Sequence, residues 1–167
     1  IYGTRLVGGT RVFMETSGTD NTYLYMALVM CEGEINGISE IRVDDKVVTF
    51  ASSLADNTAV EVASSDSNFY KNSASLIRLE PHFGSDGQSA SSLLGTLSSW
   101  GSNHKLSGLA YLAIRFTWNQ DAFSSIPKVQ ALVQGKKIVT LNSSLVESSP
   151  TFSANPAFCL LDYLRNE

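Results

Sequence analysis

Across positions 23–31 the chain reads YLYMALVMC, nine residues with no charge and nothing more polar than a phenol or a thiol. Both parities are apolar: Tyr23, Tyr25, Ala27, Val29 and Cys31 on one side, Leu24, Met26, Leu28 and Met30 on the other. A helix needs about twenty apolar residues to cross a bilayer, and a lipid-facing barrel strand would alternate apolar with polar residues. The pattern therefore predicts a strand covered by protein on both faces. A short buried helix would show the same pattern. The aromatic content and the glycines that follow favour a strand stopped by a turn, Glu32-Gly33-Glu34-Ile35-Asn36-Gly37.

Positions 10–16 alternate as a strand, and Ser17-Gly18-Thr19-Asp20-Asn21 reads as the hairpin loop leading into the apolar run. Ile41 and Val43 share one face of the next strand, Asp44-Asp45-Lys46 turns the chain, and Val47 to Phe50 returns. Positions 51–75 are small and polar, with one strand candidate at 59–62, and predict a loop or mobile insertion. A strand follows at 75–80, ended by Pro81. At 87–100, Leu93, Leu94, Leu97 and Trp100 make a stripe at helical spacing in a serine-rich helix. A second long strand spans 106–118. It carries Ala110, Leu112, Ile114, Phe116 and Trp118 on one face, and Leu109, Tyr111, Ala113, Arg115 and Thr117 on the other. Two strands are predicted around Gly135-Lys136, then a linker. The last element is a helix with Asn155 as N-cap, Pro156 at its first position, and an apolar stripe of Ala157, Leu160, Leu161 and Leu164.

These elements predict a mainly β, antiparallel barrel or sandwich with an inserted segment and one or two short helices. Positions 1–50 open the β-domain, and 51–104 form the insertion with its loop-rich part and short helix. Positions 105–140 return strands to the β-domain, and 141–167 are a linker and the start of a C-terminal helix. Neither end has the features of a natural terminus, so the chain is expected to be a fragment of a longer polypeptide.

Composition narrows the function. Hydrophobic residues make up 43%, enough for a real core, whereas charged residues are only 17%, so solubility rests on hydroxyls and amides. A net charge of −4 argues against a nucleic-acid binder, which would show a basic stripe. Cys31 and Cys159 stand in apolar surroundings and are expected to be free thiols. The apolar runs offer no membrane-spanning helix.

Candidate chemistry is sparse. Phosphate loops, dinucleotide fingerprints, the common zinc spacings and the Gly-x-Ser-x-Gly elbow are absent from the sequence, so no cofactor or metal is expected. Neither His82 nor His104 has an acid or cysteine at a characteristic ligand spacing. Glu32 and Glu34 could form a glycosidase-like acid pair, because i and i+2 share a strand face. In a glycine-bracketed turn, however, carboxylates usually face water. Asp20 and Asp44-Asp45 lack the oxygen ladder of a calcium loop. Trp100 and Trp118 are expected to close a helical stripe and cap a strand face; a sugar platform would need them exposed together. Asn142-Ser143-Ser144 matches a glycosylation acceptor without a secretory context. Gly8-Gly9, Gly33, Gly37 and Gly135 are expected to serve backbone geometry through positive φ.

Four stretches taken together, IYGTRLVGGTRVFMETSG, NTYLYMALVMCEGEINGISEIRVDD, HKLSGLAYLAIRFTWNQDAFSSIPKVQALVQGKKI and SANPAFCLLDYLRN, resemble the central hub proteins of siphophage tail tips. That family is typified by the tip attachment (host specificity) protein J of phage lambda. The stretches cover about half of the chain in the same order. The motif positions that carry the resemblance are Gly3, Arg5, Gly8, Gly9, Glu32, Gly33, Glu34, Gly37, Gly108, Tyr111, Pro127, Gly135, Asn155 and Pro156. The resemblance implies a hub-type β-domain in the virion tail tip, assembled in the host cytoplasm. It further implies a homotrimer at the distal end of the tail tube, closing it around the tape measure protein. The trimer would join tube and distal tail protein to fibre or receptor-binding parts. It implies no catalytic residues and no cofactor. A tail-associated glycan hydrolase using Glu32 and Glu34, or a carbohydrate- or receptor-binding sandwich using the tryptophans, are the alternatives.

Overall fold

In a computed structural model of the chain, residues 1–165 are described; Asn166 and Glu167, the last two positions assigned to the terminal helix, lie outside them. The first strand, β1 (Thr4–Gly8), runs directly into β2 (Thr10–Ser17), and a loop turns the chain back into β3 (Tyr23–Glu32). A hairpin follows, β4 (Gly37–Val43) and β5 (Lys46–Val47), then the short strands β6 (Val60–Glu61), β7 (Tyr70–Lys71) and β8 (Ala74–Ser75). The long strands β9 (Ile77–Phe83), β10 (Leu109–Thr117) and β11 (Val129–Gln134) complete the sheets. The chain ends in β12 (Lys137–Ile138), β13 (Thr151–Phe152) and the helix α1 (Pro156–Arg165).

Two antiparallel sheets stack as a sandwich, one of four strands in the order β1-β11-β4-β5 and one of five in the order β2-β3-β10-β9-β6. Of the barrel or sandwich expected, the sandwich is what forms. Met26, Leu28, Leu112 and Ile114 of the larger sheet meet Ile41, Val43, Ala131 and Val133 of the smaller one in the main core. The sheets are tied at both sides. On one side the strand passes from β1 to β2 through Gly8-Gly9. A Cβ on Gly9 would lie 2.6 Å from Met30 Cε and 3.0 Å from Leu28 Cβ, so a side chain at this corner would require the Met30 end to move aside. On the other side Phe50 bridges Val62, and the Ala51 N–H donates to the Glu61 carbonyl at 2.9 Å.

The apolar run at 23–31 is buried on both faces because β3 is an interior strand with a second layer beyond it. Its Tyr25 and Ala27, with Tyr111 and Ala113 of β10, pack under Leu93, Leu94, Leu97 and Trp100. The expected hairpin also forms. Asp44 and Asp45 take φ 49° and 63°, and Val43 pairs with Lys46 around them.

Several expectations are corrected. The helix at 87–100 is only a turn of 3-10 helix, Leu94–Thr96. Serines and Gly95 disfavour an α-helix there, and the Leu93 N–H is taken by the carboxylate of Glu80 at 2.7 Å. The stripe itself is buried as predicted. Pro81 does not end its strand. β9 continues to Phe83, with the Pro81 carbonyl accepting from the Asn57 N–H, so the missing N–H lies on the side away from β10, where no strand pairs with it. Positions 51–75 are built into the core: Asp66 accepts from the Thr49, Asn68 and Phe69 N–H groups, and Phe69 stacks on Phe123 with ring centroids 5.9 Å apart. Positions 51–104 also supply β9 to the interior of the larger sheet. The two strands expected around Gly135-Lys136 do form, as β11 and β12, and β12 pairs with β13. Among the glycines expected at positive φ, only Gly33 adopts it, at 83°; Gly8, Gly9, Gly37 and Gly135 do not. Gly135 is required for space instead, since a Cβ would lie 2.1 Å from the Ile1 carbonyl oxygen. Trp118 follows β10 and is 56% exposed rather than capping a covered face.

The terminal helix starts as predicted, with the Ala157 N–H donating to Asn155 Oδ1 at 2.9 Å. Its stripe does not pack down, because Ala157, Leu160 and Leu164 face outward. The helix is held through Asp162, which accepts from the Tyr2 hydroxyl and from Lys136 Nζ, each at 2.7 Å. Burial first and the Asp162 carboxylate second push the Tyr2 phenol up to about 12.

Candidate functional site

Three features stand out. The first is the turn after β3. Glu32, Gly33 and Glu34 line a cleft of about 450 Å³ with Ile1, Tyr2, Lys136 and Lys137. Both carboxylates are exposed, and Lys137 Nζ stands 4.0 Å from Glu34 Oε1. The strand places Glu32, the positive φ of Gly33 turns the chain, and the Gly33 N–H donates to the Gly108 carbonyl at 2.7 Å. Lys136 is already paired with Asp162, so Lys137 is the ammonium that approaches this acid pair, on the Glu34 side of an open cleft.

The second is an apolar groove of about 250 Å³ beside β2. Met14, Trp118 and Ile126 stand exposed along it, Leu24, Phe116 and Phe123 lie in its lining, and Pro127 is buried at its end. Among the described residues β2 pairs only with β3, so its outer backbone edge is open next to this groove. Surface of this kind is what a partner covers.

The third lies under the segment at 85–107, whose Leu93, Leu94, Leu97 and Trp100 cover the larger sheet. Glu80 is fully buried and accepts from Ser91 Oγ and the Leu93 N–H, each at 2.7 Å, and from the Ser92 N–H at 3.2 Å. His82 Nε2 stands 3.5 Å from Glu80 Oε1, and the His82 ring stacks on Tyr111 at 4.2 Å. Burial pushes the Glu80 carboxyl up. His82 and the Leu93, Ser91 and Ser92 donors outweigh that and bring it down to about 2. Burial and then the Glu80 charge hold the Tyr111 phenol above its ordinary value. Because the folded carboxyl titrates below its ordinary 4.5, its contribution is present in full above about pH 4.5 and is lost as the pH falls towards 2. Acid titration followed by tryptophan fluorescence is expected to lose stability in that window, and Glu80→Gln is expected to flatten that part of the curve.

The motif positions fall in different places. Gly3 and Gly108 take positive φ, at 64° and 74°, and Arg5 is exposed on β1. Glu32, Gly33 and Glu34 share the cleft, whereas Gly37 opens β4. Tyr111 is buried beneath the covering segment, Pro127 borders the groove, and Asn155 and Pro156 start the helix. His104 is exposed on the covering segment, stacked on Trp100 at 5.1 Å, away from the acidic cleft. Both cysteines are free, and burial pushes the Cys31 thiol up. Among the described residues no group of His, Cys, Asp and Glu is placed to hold a metal ion, and no helix is long and apolar enough to cross a membrane.

Sequence reasoning missed Glu80, Asp66 and the groove. In β9, Arg78, Glu80 and His82 alternate with Ile77 and Leu79, the signature of a solvent-facing polar side. Only the apolar content of the serine-rich stretch at 87–106 hinted that this side is covered.

No family model matches the chain. It is similar to the baseplate hub protein pb3 of Escherichia phage T5, 25% identical over 206 aligned positions that take in the whole of this chain and 22% of that protein. The chain thus spans about a fifth of the length of the relative it matches. The similarity is to a phage baseplate hub and does not single out the tip attachment family of phage lambda.

Proposed function

We propose that the chain is a structural, non-enzymatic part of a phage tail baseplate hub. In this role it trimerises at the distal end of the tail tube and joins tube and distal tail protein to fibre or receptor-binding parts. The observation that carries the proposal is the end-to-end similarity to a baseplate hub protein. The exposed groove of Met14, Trp118 and Ile126 supports it, because a permanent assembly buries apolar surface of this kind. Electron microscopy of intact particles tests it: density for the chain in a threefold ring at the tube end is expected, and its absence from the virion overturns the proposal.

The groove gives a second test. Trp118→Asp is expected to leave the melting temperature of the isolated chain within a degree or two, because the side chain is already exposed. It should weaken subunit association by about 2 kcal/mol or more, as loss of a buried aromatic anchor does. Sedimentation of wild type and variant measures this, and equal association by both would remove the groove from the assembly surface.

A glycan hydrolase is the second reading, favoured only by the cleft that Glu32 and Glu34 share. Glu32→Gln with Glu34→Gln should leave particle assembly intact. A lysis zone on cell-wall substrate that the double variant loses would establish this reading.

A further inference from the structure

The segment 85–107 has the construction of a latched lid rather than of a core element. Its ends meet: Gly84 and Gly108 both take positive φ, at 88° and 74°, and both border the cleft around Gly33. Gln88 clips the two ends together. Its Oε1 accepts from the Gly84 N–H at 3.0 Å, and its Nε2 donates to the carbonyls of Lys105, Leu106 and Leu109. Between these ends the only helical structure is the turn Leu94–Thr96.

The lid's apolar side chains form a core of their own. Leu93, Leu94, Leu97 and Trp100 pack on Tyr25, Ala27, Tyr111 and Ala113, a cluster distinct from the one between the sheets. Few polar contacts cross from lid to sheet: Ser99 Oγ donates to Glu15 at the exposed rim, Gln88 Nε2 donates to the Leu109 carbonyl at the hinge end, and the rest of the buried ones converge on Glu80. Beneath the lid, His82 Nδ1 and Trp100 Nε1 are buried without hydrogen-bond partners among the described residues, and His82 Nε2 reaches Glu80 Oε1 only at 3.5 Å. Burying such groups with poor or no partners costs free energy in the closed state, and opening relieves that cost. A small separate core, few polar ties to the sheet and poorly satisfied buried groups at the same boundary describe a unit that opens below the free energy of global unfolding.

We propose that residues 85–107 form a lid that opens as a unit on its Gly84 and Gly108 ends, with Glu80 as the latch, uncovering the apolar sheet face of Tyr25, Ala27, Tyr111 and Ala113 while the sandwich stays folded. Gln at position 80 would aim an amide N–H₂ at donors that need an acceptor, so it weakens the latch with almost no change in volume.

Hydrogen exchange resolved by residue tests this on the whole chain. In the wild type the amides of Leu93, Gly95 and Leu97, all bonded within the lid or to Glu80, are expected to exchange at least about tenfold faster than those of Ile114 and Ala131. In Glu80→Gln the lid amides should speed up by about a further tenfold while the Ile114 and Ala131 rates stay put. Ser91→Ala, which removes one latch bond, should act in the same direction with a smaller factor. Lid and sandwich amides exchanging together in the wild type, or accelerated by one common factor in either variant, would overturn the proposal. The wild-type comparison decides the matter even if Glu80→Gln fails to fold.

Discussion

Phe123→Ala is expected to lower the thermal midpoint of the chain by about 10 °C, corresponding to about 3–5 kcal/mol for truncating a buried aromatic in a domain of this size. Phe123 is 1% exposed although it lies between β10 and β11 rather than in either strand. It stands edge-on to Phe116 at 5.4 Å and stacks on Phe69 at 5.9 Å. One ring thus joins an interior strand, the loop after it and the polar stretch at 51–75. Removing it leaves a cavity that β10 cannot collapse into, because its backbone is paired on both sides, with β3 and with β9. It also breaks both ring contacts, each worth about 0.5–1.5 kcal/mol. Phe123→Leu, which keeps most of the volume, should lose less than half as much. Circular dichroism melts of the three proteins measure the series. A shift of only a degree or two for the alanine variant would mean that the ring fills space without holding the loops.

That ring also marks what was legible in the sequence. The run at 23–31 and the strand at 109–117 could be read because both parities are apolar, and interior strands of a covered sheet impose that pattern locally. The hairpin at Asp44-Asp45 could be read because turn chemistry is local too. The lid could not. Leu93, Leu94, Leu97 and Trp100 have helical spacing, but the group that organises their backbone is a carboxylate from another strand, Glu80. Spacing records which residues are buried and not what their N–H groups bond to. Asp66 escaped notice for the same reason: a polar stretch reads as a loop, and three backbone N–H bonds to one carboxylate turn it into an ordered corner of the core. At the candidate site, the turn at Glu32 and Glu34 could be read from its glycines. The approach of Lys137 to Glu34 depends on where β12 lies after the sheets have stacked.

The glycines separate by mechanism, and Gly84→Ala should be the most damaging substitution among those on positive φ. Gly84 combines two penalties. Its φ of 88° strains any L-residue, and a Cβ would lie 2.6 Å from the Gly33 carbonyl oxygen and 2.8 Å from the Ala110 N. Both neighbours are backbone, fixed by the turn and by β10, so neither can swing away as a side chain would. Strain of about 1–3 kcal/mol and an overpacking cost of about 1–3 kcal/mol place the loss at about 3 kcal/mol or more. Gly33→Ala carries the strain alone, with φ 83° and open space around the Cβ, and is expected to cost about 1 kcal/mol. Gly8→Ala carries neither and should be close to neutral. Urea unfolding of the three variants therefore predicts midpoints in the order Gly8, then Gly33, then Gly84, with similar slopes. Equal losses at Gly33 and Gly84 would mean that the backbone of Gly33 or Ala110 yields, and that the ends of the covering segment are held less tightly against the sheet than their 2.6 and 2.8 Å approaches require.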